Sequence, residues 1–282
     1  MSRLVHDSLL GGLAGLRHEP TAKRIRATLG ERTVVDSVRA VLVWEPRRIV
    51  PSWAVPAEDI AAELTASPSA DSGDPREVGH LMPEVSRRPV LDPSIPFGVH
   101  TAEGQVVTLG CGAEERVAAG LRLHDETLDG YVALDFDAFD AWWEEDERNV
   151  GHPRDPFHRI DILPSSRHVR LELDGEVLAE SRNPTLLFET MLPVRCYLRP
   201  EDVSAELVPS ATRSTCAYKG HASYFCTCVG GAQISDLAWT YQQPLPEAAR
   251  IAGLIAFFDE RVDVVLDGLP RSRPVTPWSP RR

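Results

Sequence analysis

The chain has no apolar run approaching the ~20 residues a helix needs to cross a bilayer. Leu9–Leu16 is apolar and glycine-rich, but His6, Asp7 and Arg17 flank it and no small-residue cleavage site follows. That stretch does not read as a signal peptide. A basic surplus is also missing: the formal net charge is −12. A general affinity for nucleic acid or for an anionic membrane is therefore excluded, because both need a positive surface. Cysteine is scarce and odd in number, five in all, with no Cys-x2-Cys pair. No disulfide framework is expected, and the cysteine usage suits a reducing, cytoplasmic setting. No Gly-rich loop is followed by Lys-Ser or Lys-Thr, so the phosphate cradle of P-loop enzymes is absent. The one paired-carboxylate candidate, Asp135 with Asp137, reads more simply as a helix N-cap.

What is present is a repeat. Lys23–Leu64 returns as Arg167–Leu207, almost without gaps. Arg26, Leu29, Ser37, Leu42, Glu45 and Pro56 meet Arg170, Leu173, Ser181, Leu186, Glu189 and Pro200. Trp44 and Trp53 meet Phe188 and Tyr197, and one residue slips after Pro56. A unit this long is a domain rather than a solenoid module. Hydrophobic residues make up 43% of the 282 positions, enough for each of two domains to bury its own core. The boundaries expected are a lead-in over 1–22, a first copy over 23–150, a second over 151–270 and a disordered Pro- and Arg-rich tail over 271–282. The Ser-, Pro-, Asp- and Gly-rich stretch at about 66–96 reads as a mobile insertion in the first copy.

Short strands dominate the pattern. Val169, Leu171 and Leu173 alternate with His168, Arg170 and Glu172 before Asp174–Gly175, the strongest local signal for a hairpin. Each copy is expected to close with a helix. Pro246 would open one, with Ile251, Leu254, Ile255 and Phe258 as its buried stripe, and Phe136–Glu145 would be its counterpart. The fold class is mainly β (α+β): two tandem copies of antiparallel sheets, each with one packed helix.

The second copy concentrates chemistry in Arg213–Tyr224, which holds a guanidinium, a thiol, a phenol, an amine and an imidazole. Neighbouring strands supply Glu189, Arg195 and Tyr197 on one side, Trp239 and Tyr241 on the other. Such a set suits a small polar or anionic metabolite, with cations holding its charge and aromatic faces its apolar body. Lys219, Tyr218 and Glu189 are the candidates for proton transfer. Arg195, Tyr197, Arg213, Tyr224, Trp239 and Tyr241 are the candidates for binding. Alternatively the aromatic residues are half-buried sheet positions whose polar tips find surface partners. Cys216, His221, Cys226 and Cys228 form a set that zinc accepts, but their spacing fits no zinc knuckle, and core-filling thiols are the better reading. No metal or other cofactor is expected.

The run His152–Asp161 resembles the signature of domain-of-unknown-function family 427. So do Ser166–Val169, Leu187–Thr190 with Leu192–Pro193, and Cys216–Gly220. The resemblance covers roughly 150–270 and is weaker in the first copy. It implies a β-tent fold for each copy, two antiparallel sheets leaning together over a cleft, and a family sometimes catalogued as nucleotidyltransferase-like. The chain departs from the family pattern at Cys196, where a tyrosine is usual, and at Ala217, where a proline is usual. The function expected is small-molecule binding in the second copy, with or without a reaction. The alternatives are a nucleotidyltransferase-like enzyme and a protein-interaction scaffold. The chain is expected to be a monomer whose copies form an intrachain pseudo-dimer.

Overall fold

The computed structural model describes residues 2, 10–67 and 78–280. The expectations placed on Leu9, on 68–77 of the insertion and on Arg281 and Arg282 lie outside the described residues. The chain divides into two compact units, Met1–Asp155 and Pro156–Arg282.

In the first unit the strands are β1 (Arg17–Pro20), β2 (Ile25–Leu29), β3 (Arg32–Ser37), β4 (Val41–Trp44), β5 (Ser52–Pro56) and β6 (Glu63–Ala66). They continue as β7 (His80–Met82), β8 (Ser86–Val90), β9 (Gly104–Cys111), β10 (Glu114–Leu123), β11 (Tyr131–Leu134), β12 (Ala141–Glu144) and β13 (Glu147–Arg148). A seven-stranded antiparallel sheet runs β1-β4-β5-β11-β10-β9-β6, and a four-stranded sheet runs β13-β12-β2-β3.

The second unit opens with β14 (Ile160–Pro164), β15 (Val169–Leu173), β16 (Glu176–Ser181), β17 (Thr185–Glu189), β18 (Arg195–Leu198) and β19 (Val208–Cys216). It closes with β20 (Gly220–Val229), β21 (Ala232–Thr240), β22 (Ile255–Phe257), β23 (Asp263–Leu266) and β24 (Leu269–Pro270). Its sheets run β14-β17-β18-β22-β21-β20-β19 and β16-β15-β23-β24. Strand for strand this is the order of the first unit, with the β7–β8 hairpin as the extra piece. The fold is mainly β throughout.

Local sequence explains the hairpins. Asp174 and Gly175 both take positive φ, 51° and 84°, the backbone of the two-residue turn whose twist matches its strands. A bulge interrupts β15 between Leu171 and Glu172, and β2 carries one at the matching Ala27 and Thr28. Each unit buries one core between its two sheets. In the first unit this core includes Ile25, Leu42, Trp53 and Leu134; in the second, Val169, Leu186, Cys196 and Phe257. The outer face of each large sheet carries a second apolar cluster, Val43, Ala54 and Leu121 in the first unit and Tyr197, Trp239 and Phe258 in the second.

Four expectations need correction. The closing helices are 3-10 turns, Phe136–Ala138 and Pro246–Ile251, followed by strands β12 and β22. Helical spacing misled because Ile251 and Phe258 sit on the outer face while Ile255 enters the inter-sheet core. Gly253, at φ 70°, turns the chain between them. The register slip also lies earlier than the sequence match placed it. Leu42 pairs with Trp53, but Leu186 pairs with Cys196. Trp53 therefore shares a face with Cys196, and Tyr197 points the other way, since one residue of slip exchanges the faces of a strand. The lead-in contains β1, an edge of the large sheet. Finally, the tail expected to be disordered is anchored as far as Ser279. Thr276 Oγ1 donates to Glu260 Oε1 at 2.6 Å, and the Trp278 ring lies 5.7 Å from the Arg195 guanidinium.

Candidate functional site

The outer face of the second unit's large sheet is built by alternation along β18, β20 and β21. Pairing of Tyr197 with Ala256, and of Trp239 with both Ala256 and Tyr224, aligns the three aromatic residues across neighbouring strands. Tyr241 follows two residues after Trp239 and shares its face. Trp239 Nε1 donates to the Tyr197 hydroxyl at 3.1 Å, and their rings meet edge to face. Burial raises the Tyr197 and Tyr241 hydroxyl values, so both stay protonated donors. The same registers in the first unit put Ala54, Val106, Leu121 and Leu123 where the second has Tyr197, Tyr224, Trp239 and Tyr241. The equivalent face there is aliphatic.

At the end of β17, Glu189 meets Lys219. Gly220 takes φ 94° where the chain turns from the buried Lys219 into β20. Lys219 Nζ donates to both Glu189 carboxylate oxygens, each at 2.5 Å. Their side chains are only 9% and 6% exposed. His158 Nε2 donates to Glu189 Oε1 at 3.1 Å, and its ring stacks on Tyr218 with centroids 4.2 Å apart. Burial alone would raise the Glu189 value, but the Lys219 charge and the His158 hydrogen bond outweigh it and hold it at about 2. Burial would lower Lys219, but the Glu189 charge raises it. Glu189 and Lys219 thus keep opposite charges across the neutral range.

Arg195 is engaged elsewhere. It forms a two-pronged pair with Glu260, at 2.9 and 2.5 Å, and its guanidinium lies between the rings of Trp239 and Trp278. Tyr224 joins the aromatic face through Phe258, while its hydroxyl bonds Ser214 Oγ at 2.6 Å. Arg213 does not join the group: it is exposed and donates to the carbonyls of Ser210 and Thr212 on its own strand. Lys219, Glu189, Tyr218, Tyr197, Trp239, Tyr241 and Tyr224 are thus brought to one region, Arg195 to its margin, and Arg213 outside it. All five cysteines are free, and His221 Nδ1 bonds Thr215 Oγ1. Among the described residues no group of three or more His, Cys, Asp or Glu side chains is placed to hold a metal ion.

Sequence reasoning missed Glu260 and Trp278 as parts of this region. It also missed the counterpart in the first unit. There the buried Glu45 accepts from the backbone N–H groups of Thr101 and Ala102, at 2.5 and 2.8 Å, and pairs with His100 Nδ1 at 2.8 Å. His100 Nε2 lies 3.4 Å from Asp135, whose carboxyl burial pushes up to about 6. Arg48, fully buried, donates to the carbonyls of Ile95, Pro96 and Val99. The only signal for this arrangement was the match of Glu45 to Glu189.

The chain is thus a mainly β protein of two units with the same strand order, its second unit holding a buried ion pair beside an aromatic sheet face. It is that second unit which is similar to a known family. Residues 161–268 match the family described as domain of unknown function (DUF427), whose label is that of an NTP transferase. No curated protein matches the chain. Among the described residues no helix is long and apolar enough to cross a membrane.

Proposed function

We propose that the chain is a tandem duplication in which the second copy binds a small polar metabolite and the first serves as scaffold. The observation that carries this reading is the Glu189–Lys219–His158 group beside Tyr197, Trp239 and Tyr241. Its counterpart in the first unit has aliphatic side chains on the sheet and meets Glu45 with its own backbone N–H groups. Two copies of one fold diverge most where one of them has a ligand to hold. The second copy offers donors: Lys219 has a third N–H beyond the two given to Glu189, and the Tyr197 and Tyr241 hydroxyls are protonated. A ligand rich in acceptor oxygens, with an apolar face for Trp239, fits that set.

Glu189 and Lys219 act here as fixed charges that orient the ligand, not as a base and an acid, because each holds its charge well beyond neutral pH. Five free thiols fit a cytoplasmic protein. The test is mass spectrometry of small molecules retained through native purification, followed by calorimetry on wild type and Tyr241→Phe. Retention of an oxygen-rich metabolite, weakened about tenfold by loss of the hydroxyl, supports the reading. Binding of a nucleoside triphosphate with Mg²⁺ instead would favour the transferase suggested by the family label. Full-strength binding in Tyr241→Phe would remove this site from the account.

A further inference from the structure

The face of β17 and β18 that turns away from Tyr197 opens into a hollow of its own. Leu186 and Cys196 point there, between the two sheets, opposite to Leu187 and Tyr197. A cavity of about 270 Å³ lies at this end of the inter-sheet core. Its walls are apolar, with Leu186, Phe188, Val264 and Leu266 among them, and Arg271, Ser272 and Pro274 of the C-terminal segment close one side. Three charged side chains also line it. Arg167 and Arg271 are exposed at the rim; Asp259 is set deeper, its side chain 13% exposed. Arg167 gives only its Nε to Asp267, at 2.7 Å, so its terminal N–H groups are free to bind a ligand. Asp259 lies 3.9 Å from Arg195, but that guanidinium is already held by Glu260. The charges of Asp259, Arg167 and Arg271 all act on the Cys196 thiol at the cavity wall, which places them around one space.

We propose that this cavity is a second ligand site, distinct from the aromatic face, which takes a small zwitterion with an apolar body, of the chemical class of an aliphatic amino acid. The arginines at the rim receive the carboxylate, and Asp259 receives the ammonium. The four apolar walls take the side chain, and the volume matches a body of that size near the lower end of small-molecule pockets. An uncharged hydrocarbon answers neither the remaining N–H groups of the arginines nor Asp259. A simple carboxylic acid leaves Asp259 with only Arg195, 3.9 Å away and already held by Glu260, and a simple amine leaves the remaining N–H groups of Arg167 and Arg271 unanswered. A molecule with both charges answers the whole set.

Calorimetric titration of the full chain at pH 7.5 tests this with L-leucine and its two halves, 4-methylpentanoate and isopentylamine. Saturable binding of leucine is expected, with each half at least about tenfold weaker. Arg271→Ala and Asp259→Asn should each weaken leucine by a similar factor, while Tyr241→Phe, on the opposite face of the sheet, leaves it unchanged. Thermal melts of both variants show whether a loss of binding reflects unfolding; Asp259→Asn is expected to melt no lower than wild type. The proposal is overturned if leucine gives no saturable heat up to about 10 mM. Equal binding of the acid alone, or leucine binding that survives both substitutions, overturns it as well. Loss of leucine binding in Tyr241→Phe would assign it to the aromatic face instead and also overturn it.

Discussion

Glu189 and Asp259 are both carboxylates withdrawn from water within one unit, and their surroundings push them in opposite directions. Burial raises both. At Glu189 the charge of Lys219 and the hydrogen bond from His158 win, and the value falls to about 2. At Asp259 the nearest cation, Arg195, is engaged by Glu260, burial wins, and the value rises to about 6. The consequences for stability therefore have opposite signs. Glu189 contributes stability above its ordinary value of 4.5, which is lost as pH falls from there toward 2. Asp259 costs stability above pH 6, and that cost is relieved as pH falls from 6 toward 3.8. Asp259→Asn should therefore stabilise the protein by about 1–3 kcal/mol at pH 7.5, with the gain shrinking toward zero near pH 4. Urea unfolding across that range checks it, and a gain independent of pH would contradict the assignment. For the Lys219–Glu189 pair, Lys219→Met alone should cost about 3–5 kcal/mol, because it strands a buried carboxylate. The double variant Glu189→Gln, Lys219→Met should recover most of that loss. The same denaturation experiment measures it, and equal losses in single and double variants would show that the pair is not coupled.

Among the elements, the C-terminal segment departs most from what composition suggests. Proline and arginine content reads as disorder, yet Thr276 is buried against Glu260, Arg273 pairs with Asp263, and Trp278 covers the outer face of Arg195. Each partner lies on another element of the second unit, so nothing within the segment announces its anchoring. Trp278→Ala should release the segment, lower stability by about 1–2 kcal/mol and speed tryptic cleavage after Arg271. Timed proteolysis with mass analysis checks this, and unchanged cleavage would mean the ring does not hold the segment. Elements whose cause is local were legible in the sequence. The Asp174–Gly175 hairpin follows from a turn preference and from the alternation of 168–173. The approach of Glu189, Tyr197 and Trp239 to Lys219 was legible only as far as order along the chain, with Glu189 and Tyr197 on a strand before Arg213–Tyr224 and Trp239 on one after it. The repeat matched Tyr197 to Trp53, which faces the other way. The 3-10 turn at Pro246 and the slip before β18 were not legible, since cross-strand pairing with Leu198 and Leu186 decides them. The partners of His158 stayed hidden for the same reason: Tyr218 and Glu189 lie far along the chain.

At the scale of the whole molecule, each unit has its own core between its own two sheets, and the clusters have no residue in common. The strand orders agree throughout, so what distinguishes the units is what fills the outer sheet face and the space at its charged end. In the first unit that space holds chain: Arg48 is tied to the carbonyls of Ile95, Pro96 and Val99, and His100 to Glu45. In the second it holds the side chains of Lys219 and His158. A fragment comprising 156–282 keeps every residue of both sites described above, with all the sheet partners of each strand that bears them. Its core is of a size at which domains fold alone. The fragment is therefore expected to unfold cooperatively in urea with a β-type circular dichroism spectrum, and to bind the same retained metabolite as the full chain. A fragment that folds but has lost that metabolite would show that the first copy contributes to binding, and the scaffold role proposed for it would have to be given up.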